Sequence, residues 1–349
     1  MRYVFGFLCV SALSVVPLVG CGDTNVTVYC GTDGTAGSGG FEGSGGSGGA
    51  VGDAFPCTEQ GIVDAIAEGG GPHTFACGGP TTVTTEVEII INNDVILDGA
   101  GDLIVDGDED HRVFRIAEDV NAELRGFTIS GGQCMGEPFD CIGSAIRNSG
   151  TMTLTDSTLS NNRGVALLNE ATMTMQNSTM SNPEGAPDGV HNGGDVSAQV
   201  SQTLTIVNST VDDMIQNFGV LTLTHSTVDR VDTQFEDSVT IANSLVADCV
   251  DLEQPKSNGY NIESPGDTCG FDQPTDRVNV SAEDLRLGPL QDNGGLTQTR
   301  ALELGSVAID VIPEADCFGA DGEQLTEDQR GEPRPSGTAC DVGAFEVQP

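Results

Sequence analysis

Two side chains with acid–base character, Arg147 and His191, occupy equivalent places along the chain. Each directly precedes an asparagine, and other coils fill the same place with Leu168, Gln216 and Gln234. A histidine exchanges protons near neutral pH, but polysaccharide cleavage needs adjacent carboxylic acids. This row has no stacked carboxylate pair. We therefore predict no catalytic centre and interpret both side chains as surface residues; if the protein is an enzyme, they are the candidates for its acid or base.

A second candidate is the acidic run Asp106-Gly107-Asp108-Glu109-Asp110. Carboxylate oxygens are the ligands that Ca²⁺ prefers, but the run lacks the glycine and the terminal glutamate that an EF-hand loop places at fixed spacing. We interpret it as a turn with solvated charge and predict no cofactor. Opportunistic binding of Ca²⁺ through Asp106, Asp108 and Asp110 is the alternative.

The amino terminus has the pattern of an export signal. Arg2 precedes a run from Val4 to Val19 that is mostly apolar and is interrupted by small residues and a proline. The run is short for a membrane-spanning helix, and no basic residues follow it. We therefore assign residues 1–20 to a signal peptide and place the protein outside the cytoplasm.

The signal ends in Leu-Val-Gly-Cys21, which resembles the lipobox of bacterial lipoproteins. In that class a peptidase cuts before the cysteine, and the new terminal cysteine carries acyl chains. The resemblance implies lipid on Cys21 and membrane anchoring, because each buried methylene contributes about 0.8 kcal/mol. Gly22 and Asp23 follow the cysteine, and by the same resemblance this order is compatible with the outer membrane or cell surface. An ordinary secretory signal with a chance cysteine is the alternative.

Residues 21–53 are mostly Gly, Ser and Thr, a composition that cannot bury a core. We predict a flexible tether here. With Cys9 in the signal and Cys21 as the lipid site, 11 cysteines leave nine, of which Cys30 lies in the tether as a free thiol or an intermolecular link. The other eight are neighbours in sequence, which favours four local disulfides: Cys57 with Cys77, Cys134 with Cys141, Cys249 with Cys269, and Cys317 with Cys340.

Zinc is the alternative to disulfides, but the C-x2-C spacing of zinc sites is absent and the four histidines are scattered. The composition after the tether, with 47 Gly in the whole chain, no Trp and many Thr, Val, Asn and Asp, favours short strands and turns over helices. The formal net charge of -40 opposes binding to nucleic acid. We interpret the acidity as a device for solubility, with divalent-cation uptake as the alternative.

An internal repeat is the most informative pattern. Each copy alternates apolar residues with threonine and ends in a polar Asn-Ser-Thr-like step; the copies begin at Met152, Met173, Leu204, Leu221 and Val239. The spacing is about 20 residues, with a longer step where a Gly/Pro/Asp-rich insertion spans 183–196, as expected for stacked coils of a solenoid. The alternation predicts strands whose apolar residues face one side and whose threonines face the other.

A short second strand completes each coil and ends in an asparagine. Stacked coils hydrogen-bond at about 4.8 Å, so like residues form ladders. We predict such a ladder from Asn148, Asn169, Asn192 and Asn217 that caps turn backbone groups. N-glycosylation of the Asn-Ser-Thr steps is chemically conceivable, but the bacterial lipobox disfavours it.

These coils resemble the right-handed parallel β-helix of the pectin-lyase-like superfamily, with early coils over 94–107 and a capping segment that contains a helix at 61–68. The tail resembles bacterial surface proteins called choice-of-anchor Q domain proteins, through Leu287-Gly288-Pro289-Leu290, Asp328-Gln329-Arg330-Gly331 and the run from Cys340 to Glu346. The resemblance implies an all-β fold, secretion and surface display. We divide the folded part into a β-helix with its cap at 54–250 and a segment at 251–349 that continues or caps it.

Fold does not give activity. The function we predict is that of a lipid-anchored, surface-displayed β-helix with a structural, adhesive or glycan-binding role, whose partners are the membrane and a glycan, the extracellular matrix or a neighbouring cell. The alternative is a carbohydrate-active enzyme, either a polysaccharide lyase or a glycoside hydrolase.

Overall fold

The computed structural model describes residues 54–134, 142–182, 189–193, 201–233, 235, 238–250 and 254–349. These residues belong to one compact unit, Gly52–Pro349. The predicted signal peptide, Cys21, the tether with Cys30, Cys141, Gln234 and most of the insertion lie outside the described residues. Within the described ranges, no helix has the length and apolar character needed to cross a membrane.

The first half of this unit contains a helix and short strands. They are β1 (Phe55–Pro56), α1 (Glu59–Glu68), β2 (Gly70–Ala76), β3 (Thr81–Thr84), β4 (Ile89–Ile91), β5 (Val95–Asp106), β6 (Phe114–Ile116), β7 (Asn121–Ser130), β8 (Ile146–Asn148), β9 (Thr151–Thr155), β10 (Thr158–Ser160), β11 (Leu167–Asn169), β12 (Thr172–Gln176) and β13 (Thr179–Ser181).

The second half continues the pattern and then changes. Its elements are β14 (Val190–Asn192), β15 (Thr203–Val207), β16 (Thr210–Asn217), β17 (Val220–Thr224), β18 (Thr227–Thr233), β19 (Val239–Ala242), β20 (Leu245–Val250), β21 (Lys256–Ser257), β22 (Ile262–Glu263), α2 (Ala282–Leu285), β23 (Leu287–Gln291), β24 (Thr299–Leu302) and a 3₁₀ turn at Glu314–Asp316.

The strands β1–β22 pair in parallel, each with its counterpart one coil away, so the described chain is a parallel β-helix. The sequence repeat matches the register: Leu154 lies opposite Met175, and Met175 lies opposite Ile206. Hydrogen bonds between the turn serines of successive coils span 21, 31, 17 and 18 residues. The coil length therefore varies without breaking the register, because the extra residues leave the strands as loops.

Alternation along the long strands builds the core. The inward row Leu154, Met175, Ile206, Leu223 and Ile241 is fully buried, whereas the threonines between them point outward. Burial of each such side chain stabilises the fold by about 1.5–3 kcal/mol. The facing direction of both residue types is as the sequence predicts.

The predicted asparagine ladder is present and fully buried. Asn148 Nδ2 donates to Asn169 Oδ1 (2.8 Å), Asn169 Nδ2 to Asn192 Oδ1 (2.8 Å) and Asn192 Nδ2 to Asn217 Oδ1 (2.7 Å). The same amides bond turn backbone groups, as in the bond from Asn169 Nδ2 to the Thr203 carbonyl (3.0 Å). The ladder thus satisfies polar groups that no water reaches.

A second polar ladder follows the serines of the Asn-Ser-Thr steps. The backbone N–H of Ser157 donates to Ser178 Oγ (3.1 Å), and that of Ser178 donates to Ser209 Oγ (3.1 Å). The residue before each serine has positive φ, at Asp156, Asn177, Asn208, His225 and Asn243. Asn and Asp tolerate this conformation because their short polar side chains bond locally. The Asn-Ser-Thr step is therefore the corner of each coil.

Helix α1 closes the amino-terminal end of the stack. Thr58 Oγ1 accepts a hydrogen bond from the Gly61 N–H (3.1 Å), which caps the helix, and Ile62, Ala65 and Ile66 pack into the core. The helix begins two residues before the predicted position because the cap residue is Thr58. An apolar coil end that faced water would be a site of aggregation, and the helix covers it.

Three of the predicted cysteine pairs are disulfides in the structure: Cys57–Cys77, Cys249–Cys269 and Cys317–Cys340. Cys134 is also disulfide-bonded, and its predicted partner Cys141 lies outside the described residues. The first two bonds link places one coil apart. The third lies within the tail.

The tail, which we define as residues 282–349, leaves the stack after β22. It forms an antiparallel pair, β23 with β24, and a second apolar cluster around Leu302, Ile312 and Val342, which also includes Leu245 and Ile262 of the coils. It then returns along the side of earlier coils, where Thr297 Oγ1 donates to the Asn177 carbonyl (3.1 Å). The tail therefore lies along the flank of the coils and covers their corners.

The asparagine ladder predicts a specific sensitivity. Asn169→Ala leaves the Asn148 amide and the Thr203 carbonyl without their partner, so we expect a loss of about 1–3 kcal/mol in the free energy of unfolding. Urea denaturation checks this value. Thr172→Ala, three residues away on an exposed face, is the control and should change the free energy by less than about 0.5 kcal/mol. Equal midpoints for the two variants would contradict a structural role of the ladder.

Candidate functional site

Arg147 and His191, the catalytic candidates from the sequence, lie in one row of residues that pair across successive coils. Arg147 lies opposite Leu168, Leu168 opposite His191, and His191 opposite Gln216. The next position is Asp232, and Gln234 lies outside the described residues. The sequence-based placement of Gln234, 18 residues after Gln216, is wrong because the partners in β16 and β18 are 17 residues apart up to Val211 and Val228 and only 16 apart from Met214 and Arg230 onward, where the corner has one residue instead of two. The row therefore contains one carboxylate, that of Asp232, which the sequence repeat did not place there.

Arg147 is held by an ion pair. Its Nε lies 2.7 Å from Glu170 Oε2 and its Nη2 lies 3.0 Å from Glu170 Oε1, a two-point contact between the guanidinium and the carboxylate. Ser149 Oγ donates to the same carboxylate (3.0 Å). Such a contact stabilises the charged guanidinium, which opposes a role as proton acceptor.

His191 is half-buried against Phe218, with ring centroids 4.8 Å apart. Burial lowers its pKa, and the nearby carboxylates of Asp232 and Glu170 oppose that shift only in part. The ring is therefore neutral at pH 7. Because one coil separates it from Leu168 and two from Arg147, the two candidates stand about 10 Å apart along the stack. The structure puts them on one face but brings no direct contact between them.

The acidic run forms a turn. Asp106 Oδ1 accepts a hydrogen bond from the Asp108 N–H (2.8 Å), Asp106 Oδ2 accepts one from Ser130 Oγ (3.2 Å), and the Asp110 N–H donates to the Gly107 carbonyl (3.0 Å). In the described part of the chain, no group of three or more His, Cys, Asp or Glu side chains is arranged to hold a metal ion.

A different surface combines a floor of hydroxyls with a wall. The floor is the outer side of the long strands, where one residue per coil falls into a row of threonines in register: Thr153, Thr174, Thr205, Thr222 and Thr240. All five are partly exposed. Neighbouring hydroxyls repeat at the strand spacing of about 4.8 Å.

Two adjoining hollows lie along this floor from Thr174 to Thr240, with volumes of about 480 Å³ and about 290 Å³. Both are bounded by Gly319 and Ala320 of the tail, so we treat them together as the threonine groove. Its wall is the tail segment 316–327, and its far end holds two aromatic side chains, Tyr260 and Phe318.

The wall is bonded to the corner residues of the coils. Asn208 Nδ2 donates to the Glu327 carbonyl (3.2 Å), and Asn243 Nδ2 donates to the Asp316 carbonyl (3.2 Å). The Cys317–Cys340 disulfide ties the wall to the rest of the tail. The asparagines that turn each coil thus also position the groove.

Behind the wall, the tail is fixed by a buried arginine. The Arg334 side chain is fully buried; its Nε donates to Glu346 Oε2 (3.1 Å) and its Nη1 donates to Asn208 Oδ1 (3.3 Å) and His225 Nδ1 (3.1 Å). Burial, with the adjacent Arg334 charge, lowers the pKa of His225 well below its usual range. The imidazole is therefore a neutral acceptor, which the buried guanidinium requires.

Gln329 makes a similar set of contacts with the coils, close to those of Arg334. Its Nε2 donates to Thr179 Oγ1 (2.8 Å), and its Oε1 accepts from Thr210 Oγ1 (2.6 Å). Next to it, the Arg330 guanidinium stacks on the Phe345 ring at 3.7 Å. The tail motif Asp328-Gln329-Arg330-Gly331 and the repeat step Asn-Ser-Thr are therefore two sides of one interface.

The groove is acidic. Its wall and far end contribute four carboxylates, those of Asp316, Asp321, Glu323 and Glu327, and among the described residues that line it none is lysine, arginine or histidine. Tyr260 Oη donates to Asp316 Oδ2 (2.9 Å); this bond, with partial burial, raises the pKa of Tyr260 and fixes its ring. Lys256 lies one coil beyond Thr240, outside the lining.

Sequence reasoning found the outward threonines but not the groove. The wall residues are 73 to 119 positions from the coil asparagines that they bond, as in the contacts of Asp316 with Asn243 and of Glu327 with Asn208. Two aromatic residues were the available signal: Tyr260, which follows Gly259, and Phe318, which follows Cys317.

Comparisons with known proteins define no class for this protein beyond its fold. The ladders define a parallel β-helix, and one solved structure with which the chain aligns is the crystal structure of pectate lyase Pel9A, at a TM-score of 0.47 and 14% sequence identity, over 81% of this chain and 90% of that one. No family model and no curated protein matches the sequence. Similarity at this level transfers no activity.

The interface behind the wall predicts a pH dependence. Burial, and then repulsion from Glu346, raises the pKa of Asp341 to about 6. The ordinary value is about 3.9, so between about pH 4 and 6 the folded state binds more protons than the unfolded state. This group's contribution to stability is therefore fully present below pH 4 and is lost as the pH rises through 6.

Urea unfolding of the wild type and of Asp341→Asn at pH 4, 5, 6 and 7 measures that contribution. As the pH rises, the free energy of unfolding of the wild type should fall relative to that of the variant, because the variant has no proton to lose at position 341. Comparison with the variant removes the background from the large net charge, which affects both proteins alike. Parallel curves across this range would contradict the pKa shift.

Proposed function

We propose that this protein is anchored to a bacterial membrane by lipid on Cys21, is displayed at the cell surface and binds a glycan in the threonine groove. The observation that carries the proposal is the groove itself: stacked hydroxyls on a rigid floor, with Tyr260 and Phe318 at one end. Ligand sites commonly combine aromatic surface with a few placed polar groups. Sugars offer both hydroxyl groups and apolar C–H faces to such a site.

A rigid floor suits this task. The threonine backbone is fixed in the ladder, and a β-branched side chain has few rotamers to lose on binding. Pre-ordered groups lower the entropic cost of association. The Gly/Ser-rich tether that we predict for residues 21–53 would hold the β-helix roughly 30 Å from the lipid surface, within reach of extracellular polysaccharide.

A carbohydrate-active enzyme is the second candidate. The observation in its favour is the row of His191, Gln216 and Asp232, in which Gln216 Nε2 donates to Asp232 Oδ2 (3.3 Å). Asp232 itself is 5% exposed. Of the two carboxylates near His191, that of Glu170 is paired with Arg147 and that of Asp232 is buried, so they do not provide the acid pair of a glycosidase. Binding is therefore the function that we prefer.

Glycan binding is tested with the full-length protein in detergent on a polysaccharide panel. Thr205→Val keeps the shape and strand preference but removes one floor hydroxyl, so we expect affinity to fall three- to tenfold, the range that corresponds to one hydrogen bond. Thr203→Val, on the same strand but outside the groove lining, is the matched control and should bind as the wild type does.

The same samples are assayed for new reducing ends and unsaturated products, with Ca²⁺ or with a chelator. We expect no turnover in either condition. Cleavage that disappears in His191→Ala would establish the enzyme alternative. Failure of every glycan on the panel to bind would remove the glycan-binding proposal.

Lipid anchoring has a separate test. Cys21→Ser removes the acylation site, so in a bacterial host we expect the protein to move from the membrane fraction to the soluble periplasmic or extracellular fraction. Metabolic labelling with a radioactive fatty acid should mark the wild type but not the variant. Cys30→Ser, in the predicted tether, is the control and should remain with the membrane. Equal membrane retention of all three proteins would contradict the anchor.

A further inference from the structure

We infer that the threonine groove takes an uncharged polysaccharide and excludes polyuronates. This inference rests on the proposed glycan binding and names the substrate class. Its basis is the combination of an uncharged hydroxyl floor, an aromatic end and an acidic wall in one groove.

The acidic wall of the groove repels polyuronates. A uronic acid carries one negative charge per sugar, and in the groove it would lie beside the carboxylates of Asp321, Glu323 and Glu327. At physiological ionic strength the screening length is about 8 Å, so groups across a groove still repel each other. No residue that lines the groove is cationic. Lys256, exposed one coil beyond Thr240, is a single positive charge against four carboxylates, and the whole chain has a net charge of -40.

An uncharged chain uses the same groups favourably. A carboxylate accepts hydrogen bonds from sugar hydroxyls, and a threonine hydroxyl can donate or accept. Hydrogen bonds to an ionised group are stronger than those between neutral groups. The wall acids are therefore an obstacle to one class of glycan and a source of affinity for the other.

The aromatic end supports the same assignment. Phe318 is 40% exposed although it is large and apolar, and Tyr260 is oriented by its bond to Asp316. Exposed aromatic surface next to a polar groove suits a ligand with apolar faces. The C–H faces of a neutral pyranose match this surface.

A cationic amino-sugar polymer is the remaining charged class. It would be attracted to any part of so acidic a protein, so that binding would be dispersed and strongly reduced by salt. Binding confined to the groove at high salt would need direct contacts, which the uncharged floor and aromatic end offer to neutral sugars.

The test measures affinity for a neutral glucan, a neutral mannan, a neutral xylan, polygalacturonate, alginate and chitosan at 0.15 M and 0.5 M salt. We expect the full-length protein to bind at least one neutral polysaccharide with less than a threefold change between the two salt concentrations. Polygalacturonate and alginate should not bind, either with or without Ca²⁺. Phe318→Ala should weaken neutral binding about tenfold, whereas Leu304→Ala, at another exposed apolar position of the tail, should not.

A charge variant separates the wall from the rest of the surface. Glu323→Gln with Glu327→Gln removes two wall charges and retains polar side chains, so we expect weak polyuronate binding to appear. Glu303→Gln with Glu332→Gln makes the same change of net charge at exposed tail positions outside the groove. This control should remain without polyuronate binding.

The outcomes distinguish the two levels of the proposal. Polyuronate binding that Thr205→Val weakens would overturn the uncharged class and leave glycan binding in the groove intact. Salt-resistant chitosan binding that depends on Phe318 would also overturn the uncharged class. Neutral binding that neither Thr205→Val nor Phe318→Ala changes would place the site elsewhere. Absence of binding to all six polymers would remove glycan binding and the inference with it.

Discussion

Satisfaction of buried polar groups between coils is the constraint on which this structure depends. A solenoid coil has corners, and a corner turns backbone N–H and C=O groups inward, where water does not reach them. Here each corner serine accepts a hydrogen bond from the coil before it, and each ladder asparagine bonds both the next asparagine and nearby backbone. Because these bonds join equivalent residues, they also hold the register of the strands between them.

The same corners serve the tail. Positive φ at Asn177, Asn208, His225 and Asn243 points those side chains away from the core, and the tail covers them with Gln329, Arg334 and the wall of the groove. A buried guanidinium needs acceptors for its N–H groups, and Glu346, Asn208, His225 and the Gly343 carbonyl accept four hydrogen bonds from Arg334. The chain thus uses one set of residues to turn the coil, to dock the tail and to shape the groove.

The groove follows from this arrangement. Its floor requires strands in register, and the asparagine and serine ladders keep the strands in register. Its wall requires the tail to lie on the flank of the coils, and the contacts of Arg334 with Glu346, Asn208 and His225 fix the tail there. The candidate residues from the sequence lie outside the groove: Arg147 is paired with Glu170, His191 packs on Phe218, and Asp106 closes a turn. Among the described residues, the threonine groove therefore has the most features of a ligand site, and it is built by the coils and the tail together.

The sequence by itself determined the class of fold, the facing of each strand residue, the asparagine ladder and the capping helix, because these depend on local period and on repeats. It also indicated the cysteine pairs, since coil partners are near neighbours along the chain. It did not determine that Asp232 rather than Gln234 occupies the row of His191, because this coil is two residues shorter than that placement requires and the repeat pattern does not show the difference. Nor did it show the groove or the partners of Arg334. Many contacts between the tail and the coils join residues 73 to 151 positions apart, as in the bond between Gln329 and Thr179. No periodicity relates them, so only the tertiary packing of the tail on the coils decides them.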